Sequence, residues 1–249
     1  METLKLSLCI TNYNRTDMLL EAFKNILLDP RITEIIICDD GSDNKTVEWV
    51  VYNLTSSQLL MEKIKIRLHP GNNVGMYENK KRAIEYASNE WCILFDSDNI
   101  LDSSYIDAFY DLLADPSGNL HEYEVLDKDC IYCPDFAKPR FDYRSYSGHT
   151  YNRENVGYVI EQPMFECLLN TCNYIVYKET YLRKFMSNSE IGAADTIYFN
   201  YHWLQQQGRF FVVPGMEYEH RIHSGSGFMQ DVSWNMQKAK AIKNLIKLL

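Results

Sequence analysis

The sequence predicts a single-domain α/β protein in which a mainly parallel central sheet is flanked by helices. Over the first hundred residues, short apolar runs alternate with segments of helical periodicity, which is typical of buried parallel strands joined by helices. Clusters of polar residues follow the first, second and fourth apolar runs. Sheets of this kind bind ligands beyond the carboxyl ends of their strands. We therefore expect the chemistry of this chain to lie along that edge.

The elements of the first half follow one another without long gaps. The predicted strands are Leu6–Ile10, Glu34–Cys38, Ile64–Leu68 and Trp91–Phe95. The predicted helices carry apolar residues at helical spacing and cover Thr16–Leu28, Thr46–Leu54 and Tyr77–Ala87. Three of these strands are short apolar runs, as expected for strands that are covered on both faces, whereas Ile64–Leu68 alternates between apolar and basic residues.

The second half is less regular. Strands are expected at Ile131–Tyr132, Tyr174–Tyr177 and Phe210–Val213, and helices at Ala193–Gln207 and Val232–Leu249. The segment Ala137–Ile160 is rich in Tyr, Arg and Asn and lacks apolar periodicity, so it is predicted to be a long functional loop. The chain is predicted to be one domain with three parts: residues 1–115, residues 116–231 and a C-terminal helix at 232–249.

The charge, the length of the apolar runs and the number of cysteines argue against several classes of protein. The chain has 249 residues and a formal net charge of −9, which argues against a general nucleic-acid binder because such a protein needs a basic surface. The apolar runs are strand-sized, so no membrane span is predicted, and the N-terminal residues do not indicate a signal peptide. The seven cysteines are odd in number and favour reduced thiols in a cytoplasmic protein. Cys130 and Cys133 have the spacing of a zinc-binding pair, but no well-matched second pair follows.

Four segments together resemble the family 2 glycosyltransferases of the GT-A fold. They are Ser7–Arg15 with its Thr-Asn-Tyr-Asn-Arg turn, Asp39-Asp-Gly-Ser42, Asn73-Val-Gly75, and Trp91–Asp98 with its terminal Asp-Ser-Asp. Each motif alone is weak, but the four in this order and spacing are specific over residues 4–115. The resemblance implies a GT-A fold with a nucleotide-sugar-binding half at 1–115 and an acceptor-side half at 116–231.

The resemblance also implies that the donor is a nucleoside-diphosphate sugar, with uridine as the expected base. The candidate donor-binding residues are Thr11, Tyr13, Arg15, Asp40, Asn73, Gly75, Lys80, Asp96 and Ser97. Tyr13 offers an aromatic face for stacking, and Asp40 an acceptor for the N3–H of uracil. Asp39 is expected instead to order the turn that follows it.

Lys80 stands where the family often has Arg. Two interpretations stay open for it. It contacts a base carbonyl or a phosphate as a point charge, or it belongs with Lys81 and Arg82 to a solvated helix face.

The metal site is expected at the end of the fourth strand. Asp96 and Asp98 share one side of an extended strand end, and paired carboxylates suit Mn²⁺ or Mg²⁺ on a diphosphate. The resemblance implies Asp98 as a metal ligand and Asp96 as a contact to the ribose or the metal, whereas helix capping is the structural alternative. The later segment His220–Ser226 resembles a family segment whose histidine lies near the metal, with His223 the better match and His220 the alternative. Arg221 is assigned to phosphate or solvent.

Asp195 is the candidate catalytic base. It begins a predicted helix, where the family carries a carboxylate, although the residue before it is Ala194 rather than Glu. A carboxylate is also favoured at a helix N-terminus by the helix dipole alone, so capping is the alternative role.

The sequence therefore predicts a metal-dependent, inverting glycosyltransferase that moves a sugar from a nucleoside-diphosphate sugar, expected to be a UDP-sugar, to a hydroxyl of a glycan. A catalytically inactive nucleotide-sugar-binding or scaffold protein of the same fold is the alternative. A sugar-phosphate nucleotidyltransferase is disfavoured because the turn at Thr11–Arg15 lacks glycine. Tyr143, Tyr146 and Tyr151 are expected to stack on acceptor sugars. The C-terminal helix is expected to pack on the sheet, and a homodimer or membrane-surface contact stays open.

Overall fold

A computed structural model describes residues 4–43, 62–69, 71, 73–114, 126–223 and 225–249. The predicted helix Thr46–Leu54 lies outside these residues. The strands are β1 (Leu6–Asn12), β2 (Ile32–Asp39), β3 (Ile64–Leu68), β4 (Trp91–Asp96), β5 (Cys130–Lys138), β6 (Phe141–Asp142), β7 (Thr150–Tyr151), β8 (Tyr174–Tyr177) and β9 (Arg209–Glu219). Within the described residues they form one sheet in the order β3-β2-β1-β4-β8-β5-β9-β7, with β6 paired to β5.

The helices lie between these strands and after the last one. They are α1 (Thr16–Phe23), α2 (Met76–Glu85), α3 (Ser103–Ala114), α4 (Val156–Val159), α5 (Phe165–Leu169), α6 (Lys178–Lys184), α7 (Asp195–Gln205), α8 (Gly227–Gln230) and α9 (Val232–Ile246). Short 3₁₀ turns cover Lys24–Ile26, Arg144–Tyr146 and Gly192–Ala194. Among the described residues, no helix has both the length and the hydrophobicity needed to cross a bilayer.

The two halves of the sheet differ in strand direction. β3, β2, β1 and β4 are all parallel, as the strand–helix alternation predicted. β8 then pairs antiparallel with β4 and β5, while β5 and β9 pair parallel. The α/β prediction is confirmed, and the parallel character belongs mainly to the first half. The three polar clusters that follow β1, β2 and β4 consequently meet at one edge.

The core explains why the strands are so apolar. β1 is buried along its whole length, and β2 exposes only Thr33. α3 packs against β9, and α2 packs against β1 and β2. These strands are covered on both faces, which is why their sequences are continuous apolar runs rather than alternating ones. All seven cysteines are free thiols, and Cys130 and Cys133 lie in this core as β5 residues.

The segment 137–160 is more ordered than its composition predicted. It contains β6, β7, α4 and a 3₁₀ turn, and Tyr143, Tyr146 and Tyr151 are buried. Tyr146 and Tyr151 pack edge-on against Phe165, so the expectation that they stack on an acceptor sugar is wrong. Tyr143 is also buried, but it lines the cavity described below.

The C-terminal helix packs differently from the expectation. α9 lies mainly against α7 and the Gly192–Ala194 turn, with Asn235, Ala239 and Ile242 buried. Trp234 on the same helix is 52% exposed.

Candidate active site

A cavity of about 980 Å³ opens at the carboxyl edge of the parallel strands. Twelve of the residues singled out from the sequence line it: Thr11, Tyr13, Arg15, Asp40, Asn73, Gly75, Lys80, Asp96, Asp98, Asp195, His220 and His223. Ser97 is different, because its side chain is fully buried beneath the strand end. The structure thus brings together residues from the two halves of the chain in one cavity.

The two aspartates at the end of β2, Asp39 and Asp40, have different hydrogen-bond partners. Asp39 accepts hydrogen bonds from the Asn12 amide at 2.8 Å, and from the Ser42 hydroxyl at 2.6 Å and backbone N–H at 2.8 Å. These bonds hold the turn at Gly41, whose φ of 82° favours glycine. The prediction that Asp39 orders this turn is confirmed.

Asp40 is buried and holds the loop before α2. Its two carboxylate oxygens accept hydrogen bonds from the backbone N–H groups of Val74 and Gly75, each at 2.9 Å. Gly75 also donates to the Asn73 side chain at 3.0 Å. Burial raises the pKa of Asp40, and the two backbone bonds oppose that rise. Asp40 therefore shapes the loop that carries Asn73 at the cavity wall.

Lys80 is buried at the cavity wall and is paired with carboxylates of the protein. Its Nζ is 2.7 Å from Asp195 Oδ2, and it donates to the Thr196 hydroxyl at 3.3 Å. Asp96 Oδ1 is 3.9 Å from the same nitrogen. Burial alone would lower the pKa of Lys80, but the charges of Asp195 and Asp96 outweigh it and hold that pKa well above its usual range. The solvated-face interpretation is wrong, because the lysine is buried and paired.

Asp96 ends β4 in a crowded polar setting. It accepts hydrogen bonds from the Cys172 thiol at 2.9 Å and the Thr11 hydroxyl at 3.5 Å. Burial would raise the pKa of Asp96, but Lys80, Cys172 and Arg15 together lower it. Cys172 was not predicted at this site, since no motif of the sequence relates it to the end of β4.

Asp98 joins the end of β4 to the segment after β9. Its Oδ2 lies 2.8 Å from Arg15 Nη1 and 3.0 Å from His223 Nε2. Arg15 also donates to the Gly225 carbonyl at 3.3 Å. One carboxylate thus contacts residues that follow β1 and β9.

Arg221 has a structural role that the sequence did not indicate. It donates to four backbone carbonyls, those of Met18, Ser97, Asp98 and Asn99, at 2.6 to 3.4 Å. Contact of Arg221 with phosphate or solvent stays a prediction. This guanidinium fixes the backbone on which Asp98 stands.

The side chains at this site fit a divalent cation whose coordination is completed by phosphate oxygens of a bound ligand. Among the described residues, no group of three or more His, Cys, Asp or Glu side chains is arranged around one point. Asp98 and His223 nevertheless meet at 3.0 Å, and Mg²⁺ and Mn²⁺ are commonly held by one or two protein ligands plus phosphate oxygens. His220 lines the same cavity with its Nδ1 buried and unpartnered. Burial lowers the pKa of His220, which favours the neutral ring that can ligate a metal.

Residues 7–120 match the sequence model of Glycosyl transferase family 2. Glycosyltransferase GlyG of Streptococcus pneumoniae serotype 4 is 27% identical over 129 residues, which are 49% of this chain and 41% of that protein. S. aureus TarS 1-349 in complex with UDP-GlcNAc has a TM-score of 0.66 at 15% identity, covering 96% of this chain and 65% of that one.

The mannosyltransferase PcManGT of Pyrobaculum calidifontis, solved with GDP-Man and Mn²⁺, has a TM-score of 0.65 at 14% identity and covers 96% of this chain and 64% of that one. This chain thus spans less than two thirds of the length of each of these proteins. The predicted family 2 resemblance and the GT-A fold are confirmed.

Proposed function

On the premise that residues 7–120 carry the family 2 glycosyltransferase sequence, we propose that this protein transfers a sugar from a nucleoside-diphosphate sugar to an acceptor hydroxyl. One observation supports this best. The buried carboxylate Asp195, from the second half of the chain, lies in the same cavity as the polar clusters that end β1, β2 and β4. A nucleotide sugar bound along those strand ends would share the cavity with Asp195, the candidate catalytic base.

The donor is a UDP-sugar in this proposal. Tyr13 stacks on the base, Asp40 accepts its N3–H, and the Asn73–Gly75 loop borders it. TarS was solved with UDP and with UDP-GlcNAc, which favours uridine, whereas PcManGT was solved with GDP-Man. The test below therefore compares donors that differ in their nucleobase.

The diphosphate lies near Asp98 in this proposal. Asp98 and His223 would hold Mn²⁺ or Mg²⁺, which supplies positive charge beside the diphosphate when it is bound. Arg15 adds a fixed positive charge at the same place, since its guanidinium already contacts Asp98. Asp96 contacts the ribose or the metal.

Asp195 acts as the general base of a single displacement with inversion. It takes the proton of the acceptor hydroxyl while the hydroxyl oxygen forms a bond to the anomeric carbon. The bond between that carbon and the diphosphate oxygen breaks, and its electron pair leaves with the nucleoside diphosphate. Positioned bases of this kind contribute about 10²–10⁴-fold to rate.

The acceptor in this proposal is a glycan, and the reaction takes place in the cytoplasm, where free thiols such as these seven persist. Phe141 and Tyr143 line the cavity and offer apolar surface to a sugar ring. Homodimer or membrane-surface contact through α9 is retained as an expectation, because Trp234 and Leu245 on that helix are half exposed.

The test is donor hydrolysis over a panel of UDP-, GDP- and dTDP-sugars with Mn²⁺, Mg²⁺ or EDTA. We expect slow, metal-dependent release of nucleotide from one donor. Asp98→Ala should abolish the metal dependence, and Asp195→Asn should lower turnover by about 10²–10⁴-fold while donor affinity is retained. If no nucleotide sugar binds with either metal, the proposal fails. Binding without turnover, with and without a glycan panel, would favour the inactive binding protein instead.

A further inference from the structure

A buried ion pair connects the two halves of the cavity. Lys80 on α2 and Asp195 at the start of α7 are 115 residues apart in sequence, and their charged atoms lie 2.7 Å apart. The side chains are only 7% and 4% exposed. The contact is therefore largely shielded from solvent, although both residues line the wall of the cavity.

The candidate base is held at both oxygens. Asp195 Oδ2 accepts from Lys80 Nζ, and Oδ1 accepts from the Thr196 backbone N–H at 2.8 Å. Lys80 itself also donates to the Thr196 hydroxyl. Together these contacts fix the plane of the carboxylate relative to the cavity that it lines.

Lys80 balances the negative charge of the Asp195 carboxylate. A buried, unpaired carboxyl takes up a proton, and in that form it cannot accept another. In the part of the chain that the structure describes, Lys80 is the one cation within ion-pair distance of Asp195. Without it, Asp195 would be left beside the carboxylate of Asp96, which shares Lys80 with it, and beside the neutral groups Tyr77, Tyr174, Tyr181 and Cys172.

The contacts of Lys80 also argue against a role in gripping the donor. An ammonium has three N–H donors, and two of them are directed to Asp195 and Thr196. The same ammonium group also lies beside Asp96, a carboxylate of the protein. A phosphate or base carbonyl that approached the third N–H would meet the negative charge of Asp96, whose Oδ1 lies 3.9 Å from the same nitrogen.

We propose that Lys80 is a positioning residue for Asp195, which it orients and whose charge it balances, and that it is not a ligand of the donor nucleotide. This inference rests on the proposed function, since it requires Asp195 to act as the base. It replaces the donor-binding role that the family resemblance implied for this position.

The experiment compares Lys80→Met, Lys80→Arg, Asp195→Asn and the double variant Lys80→Met/Asp195→Asn. Donor affinity is measured by calorimetry, and turnover by nucleotide release at saturating donor. For Lys80→Met we expect turnover about 100-fold lower with donor affinity changed by less than about threefold. Lys80→Arg should restore most of the lost turnover. The double variant should be no slower than Asp195→Asn alone, because residues that act as a unit are not additive.

Controls separate this role from a folding defect. Lys80→Met leaves a buried carboxyl unpaired and is expected to melt at a lower temperature, whereas the double variant removes both charges and should melt closer to wild type. Lys81→Met is the matched control on the same helix, because Lys81 pairs with Glu85 at the surface. It should alter neither affinity nor turnover.

Two results would overturn the inference. If Lys80→Met weakens donor binding tenfold or more and leaves turnover at saturation unchanged, Lys80 is a donor ligand. If the double variant loses the product of the two single effects, Lys80 acts independently of Asp195. In both cases the wild type is active and the proposed function stands, whereas a wild type that turns over no donor refutes the proposed function and this inference with it.

Discussion

The two ends of the parallel strands both carry buried carboxylates and use them differently. At the amino ends, Glu34 on β2 accepts hydrogen bonds from Ser7 on β1 and Lys65 on β3, each at 2.5 Å. Ser88 and Asn89, in the turn before β4, also donate to it. One side chain therefore ties four neighbouring strands together.

At the carboxyl ends, the carboxylates are paired but face a cavity. Asp98 has Arg15 and His223, and Asp195 has Lys80, yet all of them line open space. The Nδ1 atom of His220 in the same wall is buried without a partner. A polar cluster whose bonds are all made within the protein stabilises the fold, whereas one with remaining capacity can bind a ligand.

The largest effect expected from this comparison is on stability at the amino end. Glu34→Gln should lower the free energy of unfolding by about 2–4 kcal/mol, because the amide loses the ion pair with Lys65 and presents a donor to other donors. Turnover per folded molecule should not change. Urea denaturation and donor hydrolysis measure the two quantities. A stable Glu34→Gln variant with reduced turnover would contradict the division between the two ends.

The same carboxylate makes stability depend on pH. Burial would raise the pKa of Glu34, but hydrogen bonds from Lys65, Ser7 and Ser88 lower it from 4.5 to about 2. The folded state therefore binds this proton less readily than the unfolded state. The contribution, on the order of 3 kcal/mol, is complete above pH 4.5 and is lost as the pH falls toward 2. Urea titrations from pH 6 to pH 2.5 should show wild type losing more stability than Glu34→Gln. Parallel losses would disprove this assignment.

A smaller effect is expected at the carboxyl end and on affinity alone. Tyr13→Ala should weaken UDP binding about tenfold, because stacking of a base on an aromatic ring contributes about 1–3 kcal/mol. The melting temperature should stay the same, since the Tyr13 ring is 48% exposed. Calorimetry with UDP measures the change. Tyr158→Ala is the matched control, as Tyr158 is 83% exposed and lies apart from the cavity lining. Equal affinities for the two variants would show that Tyr13 does not stack on the base.

The first half of the fold could be predicted because its information is local. Apolar runs and helical periodicity located β1 to β4 within a few residues, and the polar clusters that follow them do line one cavity. The assignment of Asp39 to its turn also needed only neighbours in sequence.

Contacts between distant segments could not be predicted in the same way. Nothing near Lys80 indicates that its partner is Asp195, and nothing near Arg221 indicates four backbone carbonyls from other loops. The buried tyrosines Tyr146 and Tyr151 were misassigned because composition does not show which rings a core will enclose.

The position of β9 has a consequence for synthesis. β9 lies between β5 and β7, and its pairing with β5 begins where Cys130 meets Arg209. A ribosome therefore makes β1 to β4 long before it makes the strand that completes the second half of the sheet. Until then one edge of β5 stays open on a largely buried, apolar strand, which is the kind of edge that invites aggregation. Premature termination before residue 209 would leave a nascent chain in which β1 to β4 are present and the edge of β5 is unpaired.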